Sequence, residues 1–257
     1  FYSFFDTQVG IFEGSHIGNL KDLQTAINSD RPAANFTGEN TYTINRPYQD
    51  VNHQLLKSKS VLQAKFHKWS LLLATQINQR KEFDIIRNSN SIAPQLDLGM
   101  VTLSQELNWE YNKNPHFIQL AGMAAMQQDN QYAGRYFIPA FRSNNFGGFY
   151  IGKWIKHKWN AEAGIRYDHK NINSHRLLTD GTIFDENEFN FSTLGSSFNA
   201  GYKINKQWRI NTNIALANRA PQVNELLSNG IHHGTATFEE GDKTLKPERS
   251  VNISLNN

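Results

Sequence analysis

The sequence contains no cysteine, and this absence removes several kinds of chemistry. Without cysteine among its 257 residues, the chain has no disulfide framework, no thiol nucleophile and no zinc–thiolate site. It also lacks long hydrophobic runs. No stretch approaches the roughly 18 apolar residues of a transmembrane helix, and the mean hydropathy is −0.59. A helical membrane protein is therefore excluded, whereas a membrane protein built from alternating strands is not.

Neither sign of charge dominates the sequence, and common catalytic motifs are absent from it. The chain has 26 Lys and Arg against 23 Asp and Glu, a net charge of +3 spread along its length, which gives little support to a nucleic-acid partner. It has no G-x-S-x-G and no phosphate-binding glycine loop. Glu106 and Glu110 are separated by roughly 13 Å along a strand, too far apart for a glycosidase pair. We expect neither an enzyme nor a nucleic-acid-binding protein, and no cofactor.

What the sequence has is alternation with a period of two, the pattern of an amphipathic strand. It is found in 69–79, 97–111, 159–169 and 207–217. These runs are longer than the usual ~5–6 residues of a soluble strand and match the ~9–11 residues of a transmembrane strand. In 97–111 one parity is apolar except for Gln105 and carries Val101, Leu103, Leu107, Trp109 and Tyr111, and the other parity carries Thr102, Ser104, Glu106, Asn108 and Glu110.

The connections between these runs are of two kinds that alternate along the chain. Short, basic connections are predicted at 67–68, 112–114, 156–158 and 205–207. Long connections rich in Gly, Asn and Pro are predicted at 83–96, 129–145, 170–189 and 218–244. Outer-membrane barrels have this asymmetry, with tight periplasmic turns and extended outer loops.

The tryptophans follow the short connections, as an aromatic girdle at a membrane interface does. The five are Trp69, Trp109, Trp154, Trp159 and Trp208. The predicted fold class is all-β: a transmembrane, antiparallel, up-and-down β-barrel with long outer loops, of which about eight or nine strands are present. The polar parity then lines the lumen. Because the chain starts without Met and stops in a strand-like run, we interpret it as a piece of a longer protein that aggregates when expressed alone.

One segment interrupts the alternation: RAPQVNELLSNGIHHGTATFEEGDKTLKPE, residues 219–248. It resembles a segment of the TonB-dependent outer-membrane receptors. The stretches 45–57, 78–84 and 163–170 agree with the same family, and 10–27 is similar to an outer loop of its Bacteroidetes members. The residues that match the family pattern are Arg219, Ala220, Pro221, Glu225, Leu226, Gly230, His232, Gly234, Phe238, Gly241, Asp242, Leu245, Pro247 and Glu248.

This resemblance implies a parent barrel of about 22 strands, closed by an N-terminal plug and placed in the outer membrane of a Gram-negative bacterium. It implies uptake of a scarce small-molecule nutrient, foremost a ferric siderophore or haem, with energy relayed by TonB through the plug. Residues 1–257 are then part of the barrel domain. A plug and a TonB box are not found in this sequence.

Candidate ligand residues lie in the outer segments. The aromatic and basic stretch 129–150 offers stacking and charge for an anionic chelate or a sugar, and two histidines lie in other loops. We expect no metal site, because His232 and its neighbour His233 point in different directions in an extended chain. The candidates are Arg135, Tyr136, Phe141, Arg142, His16 and His232.

Two alternatives remain at this point. One is a passive porin, which shares the barrel pattern but lacks the 219–248 motif. The other is a soluble extracellular β protein that binds carbohydrate, with the apolar faces buried in a core. The tryptophans that follow the turns argue against the second alternative.

Overall fold

The structure is a computed structural model that describes residues 1–11, 20–30, 42–84, 92–177, 182–232 and 237–256. Long strands dominate it, and two short helices lie in the connections. The elements are β1 (Tyr2–Gly10), α1 (Leu20–Ile27), β2 (Tyr48–Ala64), β3 (His67–Phe83), β4 (Leu96–Asn114), β5 (Phe117–Gly134), β6 (Ala140–Lys156), β7 (Trp159–Leu177), β8 (Ile183–Lys203), β9 (Arg209–Arg219), α2 (Val223–Leu227), β10 (Asn229–His232), β11 (Thr237–Glu240) and β12 (Glu248–Asn256).

Ten of these strands form one antiparallel sheet in the order β1 to β9 and then β12, while β10 and β11 form a separate hairpin. Each strand pairs with its neighbour in the chain, so the sheet is an up-and-down meander and an unclosed part of a barrel. The predicted fold class is confirmed. The sheet has ten strands rather than the eight or nine expected. One of them, β2, has a weak alternation, because Asn52, Ser58 and Ser60 are polar residues on its outer parity. Among the described residues, no helix is long and apolar enough to cross a membrane.

The two parities lie on opposite faces of the sheet, as predicted. The register places Leu71 opposite Leu107 and Tyr150 opposite Ile165, so apolar side chains from neighbouring strands form a continuous outer band that we call the belt. The alternative with apolar faces in a core does not match this arrangement, because the belt side chains are exposed. They are Leu71, Leu73, Ile77, Val101, Leu103, Leu107, Met123, Phe146, Tyr150, Ile165, Tyr167, Leu194, Phe198, Ile210, Ile214, Val251, Ile253 and Leu255.

All five tryptophans lie at the turn end of the belt. Trp69 and Trp109 are neighbours, with ring centroids 6.0 Å apart, and the indole N–H of Trp109 donates to Nδ1 of His67 at 3.0 Å. Trp159 packs on Tyr202, with centroids 4.4 Å apart. The tryptophans thus lie between the apolar belt and the turns, the position that an interfacial girdle requires.

Several predicted connections are shorter than expected. The predicted outer loop 129–145 is largely strand, because β5 continues to Gly134 and β6 begins at Ala140; the loop 170–189 is likewise mostly β7 and β8. The turns predicted at 67–68 and 112–114 lie instead at 65–66 and 115–116. Strands that leave the membrane have polar residues on both faces, so their sequences resemble loops.

Beyond the belt, the inner face of the sheet is closely packed. Asn130 and Ile172 are fully buried there, and Phe141, Ser143 and Ser174 are nearly so. Outward residues such as Arg142, Asn144 and Asn173 are exposed, which is the alternation expected when one face is covered. The element that covers this face is the segment between β9 and β12.

Candidate functional site: the strap at the loop end of the sheet

The segment that joins β9 to β12, residues 220–247, is called the strap, and its described residues, 220–232 and 237–247, fold over the inner face of the sheet. Its two ends are adjacent, because Arg219 and Glu248 are register partners in the β9–β12 pair. The strap contains α2 and the β10–β11 hairpin. It therefore leaves the wall, crosses its inner surface and returns to the same place.

Helix α2 forms because its apolar residues share one face. Val223, Leu226 and Leu227 are spaced by three and four residues, the period of a helix, and all three are buried. The carboxylate of Glu225 accepts from the N–H of Gln222 at 2.7 Å, which satisfies one free donor of the first turn.

The helix ends earlier than its sequence suggests. The sequence VNELLSNG predicts a helix that Gly230 ends, but α2 ends before Ser228, whose N–H donates to the carbonyl of Asn224. Gly230 lies in β10 instead, where a Cβ would stand 3.0 Å from the carbonyl oxygen of Tyr136. This glycine therefore permits a close approach of two backbones rather than a helix stop.

The apolar face of α2 packs against the inner wall. Phe141 of β6 and Ile172 of β7 form one buried cluster with the three helix residues. Met100, Ile138, Phe189 and Phe191 surround this cluster. The wall positions come from four strands distant in sequence from the strap, so the cluster fixes the strap to the assembled sheet. Burial of this apolar surface is the main source of the docking free energy.

Lys170 of β7 holds the start of the strap by hydrogen bonds. Its Nζ donates to the carbonyl of Pro221 at 3.0 Å and to Oε1 of Gln222 at 2.9 Å. The side chain lies beyond the belt on the inner face and is buried, and burial lowers its pKa although Glu225 nearby opposes the shift. Sequence reasoning missed this residue; its inward parity in β7 is the signal that marks it.

Arg219 joins the two ends of the strap by ion pairs. Its guanidinium donates to both carboxylate oxygens of Glu225, at 2.7 and 2.8 Å, and its Nε donates to Glu248 at 3.0 Å. These bonds, first to Glu225 and then to Glu248, raise the pKa of Arg219 further. Bidentate geometry restricts the arginine more than a single contact would.

The returning limb of the strap packs on α2 through backbone contacts. The N–H of Gly241 donates to the carbonyl of Ser228 at 2.7 Å, and the N–H of Asp242 donates to that of Glu225 at 2.9 Å. A Cβ on Gly241 would lie 2.4 Å from the backbone nitrogen of Leu227. Glycine is therefore required at position 241 because a side chain would not fit against the backbone of α2.

Tyr136 connects the strap to the β5–β6 connection. Its hydroxyl donates to the carbonyl of Leu227 at 2.9 Å, and its ring packs edge-on against Tyr132. The guanidinium of Arg176 lies 3.9 Å from the ring centroid, and the ring of Phe184 lies on the same guanidinium at 5.2 Å. Burial raises the pKa of Tyr136 to about 12. Aromatic rings and a cation thus surround one point. It lies at the loop end of the sheet, and we call this region, formed by Tyr132, Tyr136, Arg176 and Phe184, the opening.

Arg135, the neighbour of this tyrosine, lies in a cluster of charges. Its Nη1 bonds to Oδ2 of Asp84 at 2.8 Å, and Glu82 lies within 4.0 Å. Both carboxylates are buried, and Arg80 and Gln49 donate to Glu82. The cluster ties the β5–β6 connection to the end of β3.

The sequence-predicted ligand residues do not form one site. Arg135 and Tyr136 lie together at the opening, whereas Phe141 is buried under α2. Arg142 points to the outer face, where it makes a two-nitrogen contact with Asp129 at 2.8 and 3.0 Å. The remaining histidine candidates cannot be placed by their side chains: His16 lies outside the described residues, and of His232 only the backbone is described, in β10.

Within the part of the chain that the structure describes, no group of three His, Asp or Glu side chains is arranged to hold a metal ion. His233 and Gly234 lie outside this part. His53 lies on the inner face, 3.4 Å from the amide oxygen of Gln76. It therefore belongs to the polar inner wall.

The belt, the polar inner face and the inward strap are the features expected of the family that the 219–248 motif suggested. A family model described as TonB dependent receptor-like, beta-barrel, matches residues 4–256. The chain belongs to this family. Comparison with curated protein sequences gives no match.

Solved transporters and receptors have the same fold. The chain resembles the copper transporter OprC with a TM-score of 0.62 at 14% identity, over 81% of this chain and 36% of OprC. It resembles the FrpB iron transporter of Neisseria meningitidis (F5-1 variant) with a TM-score of 0.57 at 14% identity, over 81% and 34% of the two chains. A double mutant of the Serratia marcescens hemophore receptor HasR, in complex with HasA and heme, gives 0.58 at 14% identity, over 81% and 36%. At this identity the likeness shows the fold alone, and the chain spans about a third of these receptors.

The strap lies beyond the belt, at the end of the sheet opposite the tryptophans, so its response to acid can be measured apart from that of the belt. The hydrogen bonds of Glu225 with Arg219, and then with the N–H of Gln222, lower the pKa of its carboxyl from 4.5 to about 2. Because the folded pKa lies below the unfolded one, the stabilisation is complete above pH 4.5 and is lost as the pH falls toward 2. We expect hydrogen-exchange protection of α2 in the full receptor to be unchanged from pH 7 to 5 and to fall below about pH 4.

The matched variant for this experiment is Glu225→Gln, which keeps the size of the side chain and removes its charge. Its protection is expected to be weaker at pH 7 and to lack the step below pH 4. Loss of protection in the unaltered receptor already between pH 7 and 5.5 would contradict this assignment, because a carboxylate with a lowered pKa does not titrate there.

Proposed function

We propose that the chain is part of the barrel of an outer-membrane receptor that imports a scarce nutrient in a TonB-dependent manner, with a ferric siderophore or haem as the substrate. The proposal rests on the strap, which is fixed to the inner wall by residues of the family motif and lies across the opening. The resemblance that suggested the family adds the plug and the contact with TonB, both of which belong to the rest of the receptor.

The opening has the chemistry that an anionic chelate needs. Tyr132, Tyr136 and Phe184 offer aromatic faces around Arg176, and arginine pairs with carboxylate or other anionic oxygens in a planar geometry. Arg135 precedes Tyr136 in the sequence and forms an ion pair with Asp84. A substrate that combines flat, apolar parts with negative charge fits this combination, and ferric siderophores and haem have these properties.

The strap also argues for active uptake over free diffusion. It is held to the inner wall by an apolar cluster, a buried lysine and paired charges, and Arg219, Glu225 and Leu226 among these contacts are residues of the family motif. A porin shares the barrel pattern but lacks this motif.

Growth and uptake in the native bacterium test the proposal. The full gene is deleted, and uptake is measured across iron chelates, haem, cobalamin and glycans, with and without a functional TonB. Loss of uptake of one iron compound, reproduced by loss of TonB, is the expected result. Uptake of small solutes that falls in the deletion strain but does not depend on TonB would overturn the proposal in favour of a porin.

The ligand residues give a second prediction, with a control on the same segment. Replacing Arg135 with Gln together with Tyr136 with Ala is expected to weaken uptake about tenfold at unchanged surface abundance, since the variant removes a charged group and an aromatic face from the opening. Arg142→Gln is the control, because Arg142 lies on the outer face of the wall. Equal uptake by the double variant and the control would remove the opening as the ligand site.

A further inference from the structure

Above the belt, the outer face of β5 to β8 is polar instead of apolar. The register puts these polar residues on the same face as the belt, since Phe146 of the belt is opposite His169, and Gln127 is opposite Asn144. We call this surface the amide patch. It consists of Gln127, Asp129, Gln131, Arg142, Asn144, His169, Asn171, Asn173, Glu188, Asn190 and Ser192.

A ladder of side-chain amides organises the patch. Nδ2 of Asn173 donates to Oδ1 of Asn171 at 2.6 Å, Nδ2 of Asn171 donates to Oδ1 of Asn190 at 3.0 Å, and Asn190 donates to Glu188 at 3.1 Å. Each amide has two donor hydrogens and an acceptor oxygen, so each member keeps capacity for a further partner. Their side-chain positions are fixed before any partner arrives, which reduces the entropy lost on binding.

A cavity of about 280 Å³ lies at the boundary between the belt and the amide patch. Leu103, Ala125 and Phe146 provide its apolar part, and Asn144 and Asn171 are among the amides at its polar part. A molecule that fits there has an apolar portion toward the membrane and a hydroxyl- or amide-bearing portion away from it.

The height of the patch identifies the molecule. From Tyr167 at the top of the belt to Asn173 is six residues, about 20 Å along the strand and about 15 Å in height for a strand tilted by roughly 40°. A phospholipid headgroup layer extends only about 5–8 Å beyond the hydrocarbon. A headgroup of several sugars, anchored by acyl chains on the belt, covers the whole patch.

The charges favour the sugars of such a glycolipid over its phosphates. The patch as defined contains one arginine and no lysine, and both donating nitrogens of Arg142 contact Asp129. Phosphate recognition relies on clustered Arg or Lys, whereas amides that donate and accept match sugar hydroxyls.

We propose that the amide patch and its cavity bind the oligosaccharide of the outer-leaflet lipopolysaccharide. The partner is a lipid-anchored saccharide that shares the membrane with the receptor, and it is distinct from the imported substrate. The inference rests on the outer-membrane placement in the proposed function, but it does not depend on which nutrient is imported.

Native mass spectrometry of the full receptor in nanodiscs tests this inference. One set of nanodiscs contains lipopolysaccharide with a complete core, and another contains deep-rough lipopolysaccharide, which keeps the acyl chains and phosphates but only the innermost sugars. We expect the receptor to retain the complete-core form about tenfold more, because several amide–hydroxyl hydrogen bonds contribute. Equal retention would assign the binding to phosphates or acyl chains and would overturn the inference.

Matched variants locate the binding. Asn144→Ala combined with Asn171→Ala is expected to reduce retention of the complete-core form to the deep-rough level, and Ala125→Phe, which fills the cavity, to have the same effect. The control is Asn211→Ala combined with Asn213→Ala, which removes two amides from the inner face of β9. If the control and the patch variant reduce retention equally, the amide patch is not the site. If the full receptor does not enter nanodiscs at all, the proposed membrane placement is wrong. The identity of the imported nutrient is tested separately by the uptake assays.

Discussion

Replacing Leu226 with alanine is expected to release the strap from the inner wall of the barrel. Leu226 is 1% exposed and lies at the centre of the cluster formed with Phe141 and Ile172. A leucine deleted from such a site costs about 3–5 kcal/mol, because the transfer free energy is lost and a cavity remains. We expect proteolysis within the strap of the full receptor to become about a hundredfold faster or more, since cleavage follows the undocked population.

Leu245→Ala is the matched control for this experiment. It removes the same atoms from the same segment, but Leu245 is 38% exposed, so the expected cost is below about 1 kcal/mol. Equal rates of cleavage for the two variants would show that the α2 cluster does not hold the strap.

Replacing Gly241 with alanine is expected to have the second large effect. The added Cβ would lie 2.4 Å from the backbone nitrogen of Leu227 and 2.5 Å from the carbonyl carbon of Leu226. Backbone atoms cannot rotate away as a side chain does, so the returning limb must shift and lose its hydrogen bonds to Ser228 and Glu225. Overpacking of this kind costs about 1–3 kcal/mol or more, and we expect faster cleavage of the strap and reduced uptake.

Gly99 of β4 offers the control, because a Cβ at this position meets no atom within 4 Å. Gly99→Ala is expected to leave cleavage and uptake unchanged or slightly improve stability, since alanine restricts the unfolded chain. If Gly241→Ala behaves like Gly99→Ala, the returning limb does not pack on α2 as described.

The contacts of the strap explain why the family motif has its residue types. Arg219 requires two carboxylates, and Glu225 and Glu248 supply them. Glycine is needed at position 241 for space, and Pro221 supplies the carbonyl that Lys170 binds. Motif residues separated by up to 29 positions therefore form one docked unit.

Period-two alternation was sufficient to predict the belt, the polar inner face and the antiparallel order. In β4, for example, the lipid-facing and inner residues could be assigned from parity alone, because the environment differs on the two sides of the strand. The tryptophans were equally informative, since an indole at an interface depends on depth and not on distant contacts.

The ends of the strands could not be predicted in the same way. Above the belt both faces of β5, β6 and β7 carry polar residues. The buried inward residues Asn130 and Ser143 are therefore as polar as the exposed outward residue Asn173, and hydrophobicity does not distinguish the faces. The sequence also could not predict that the strap folds toward the inner wall. The spacing of Val223, Leu226 and Leu227 predicts one apolar face, but its partners Phe141 and Ile172 lie about 50 to 90 positions earlier in the sequence.

The ligand candidates show the same limit. Tyr136 and Arg142 are six residues apart in a stretch that looked like one loop, yet the register sends Arg142 to the outer face. Arg176 was not a candidate, because it lies far from Tyr136 in the sequence and the β6–β7 pairing, which places Ala140 opposite His175, brings the two together. Composition suggested an aromatic and basic opening, and the fold selects which residues form it.

Cysteine labelling on intact cells measures the position of the strap inside the barrel most directly. The chain has no cysteine of its own, so Ser143→Cys and Asn224→Cys can be compared in a full receptor that is otherwise free of cysteine, with a membrane-impermeant maleimide. Asn224 of the strap is exposed, whereas Ser143 of the inner wall is 2% exposed and lies opposite Ile172 of the cluster under α2. The change from serine to cysteine keeps the size of the side chain, so we expect the cysteine at 224 to react readily and the cysteine at 143 to react only after denaturation. Equal reaction of both on intact cells would contradict a strap docked on the inner wall.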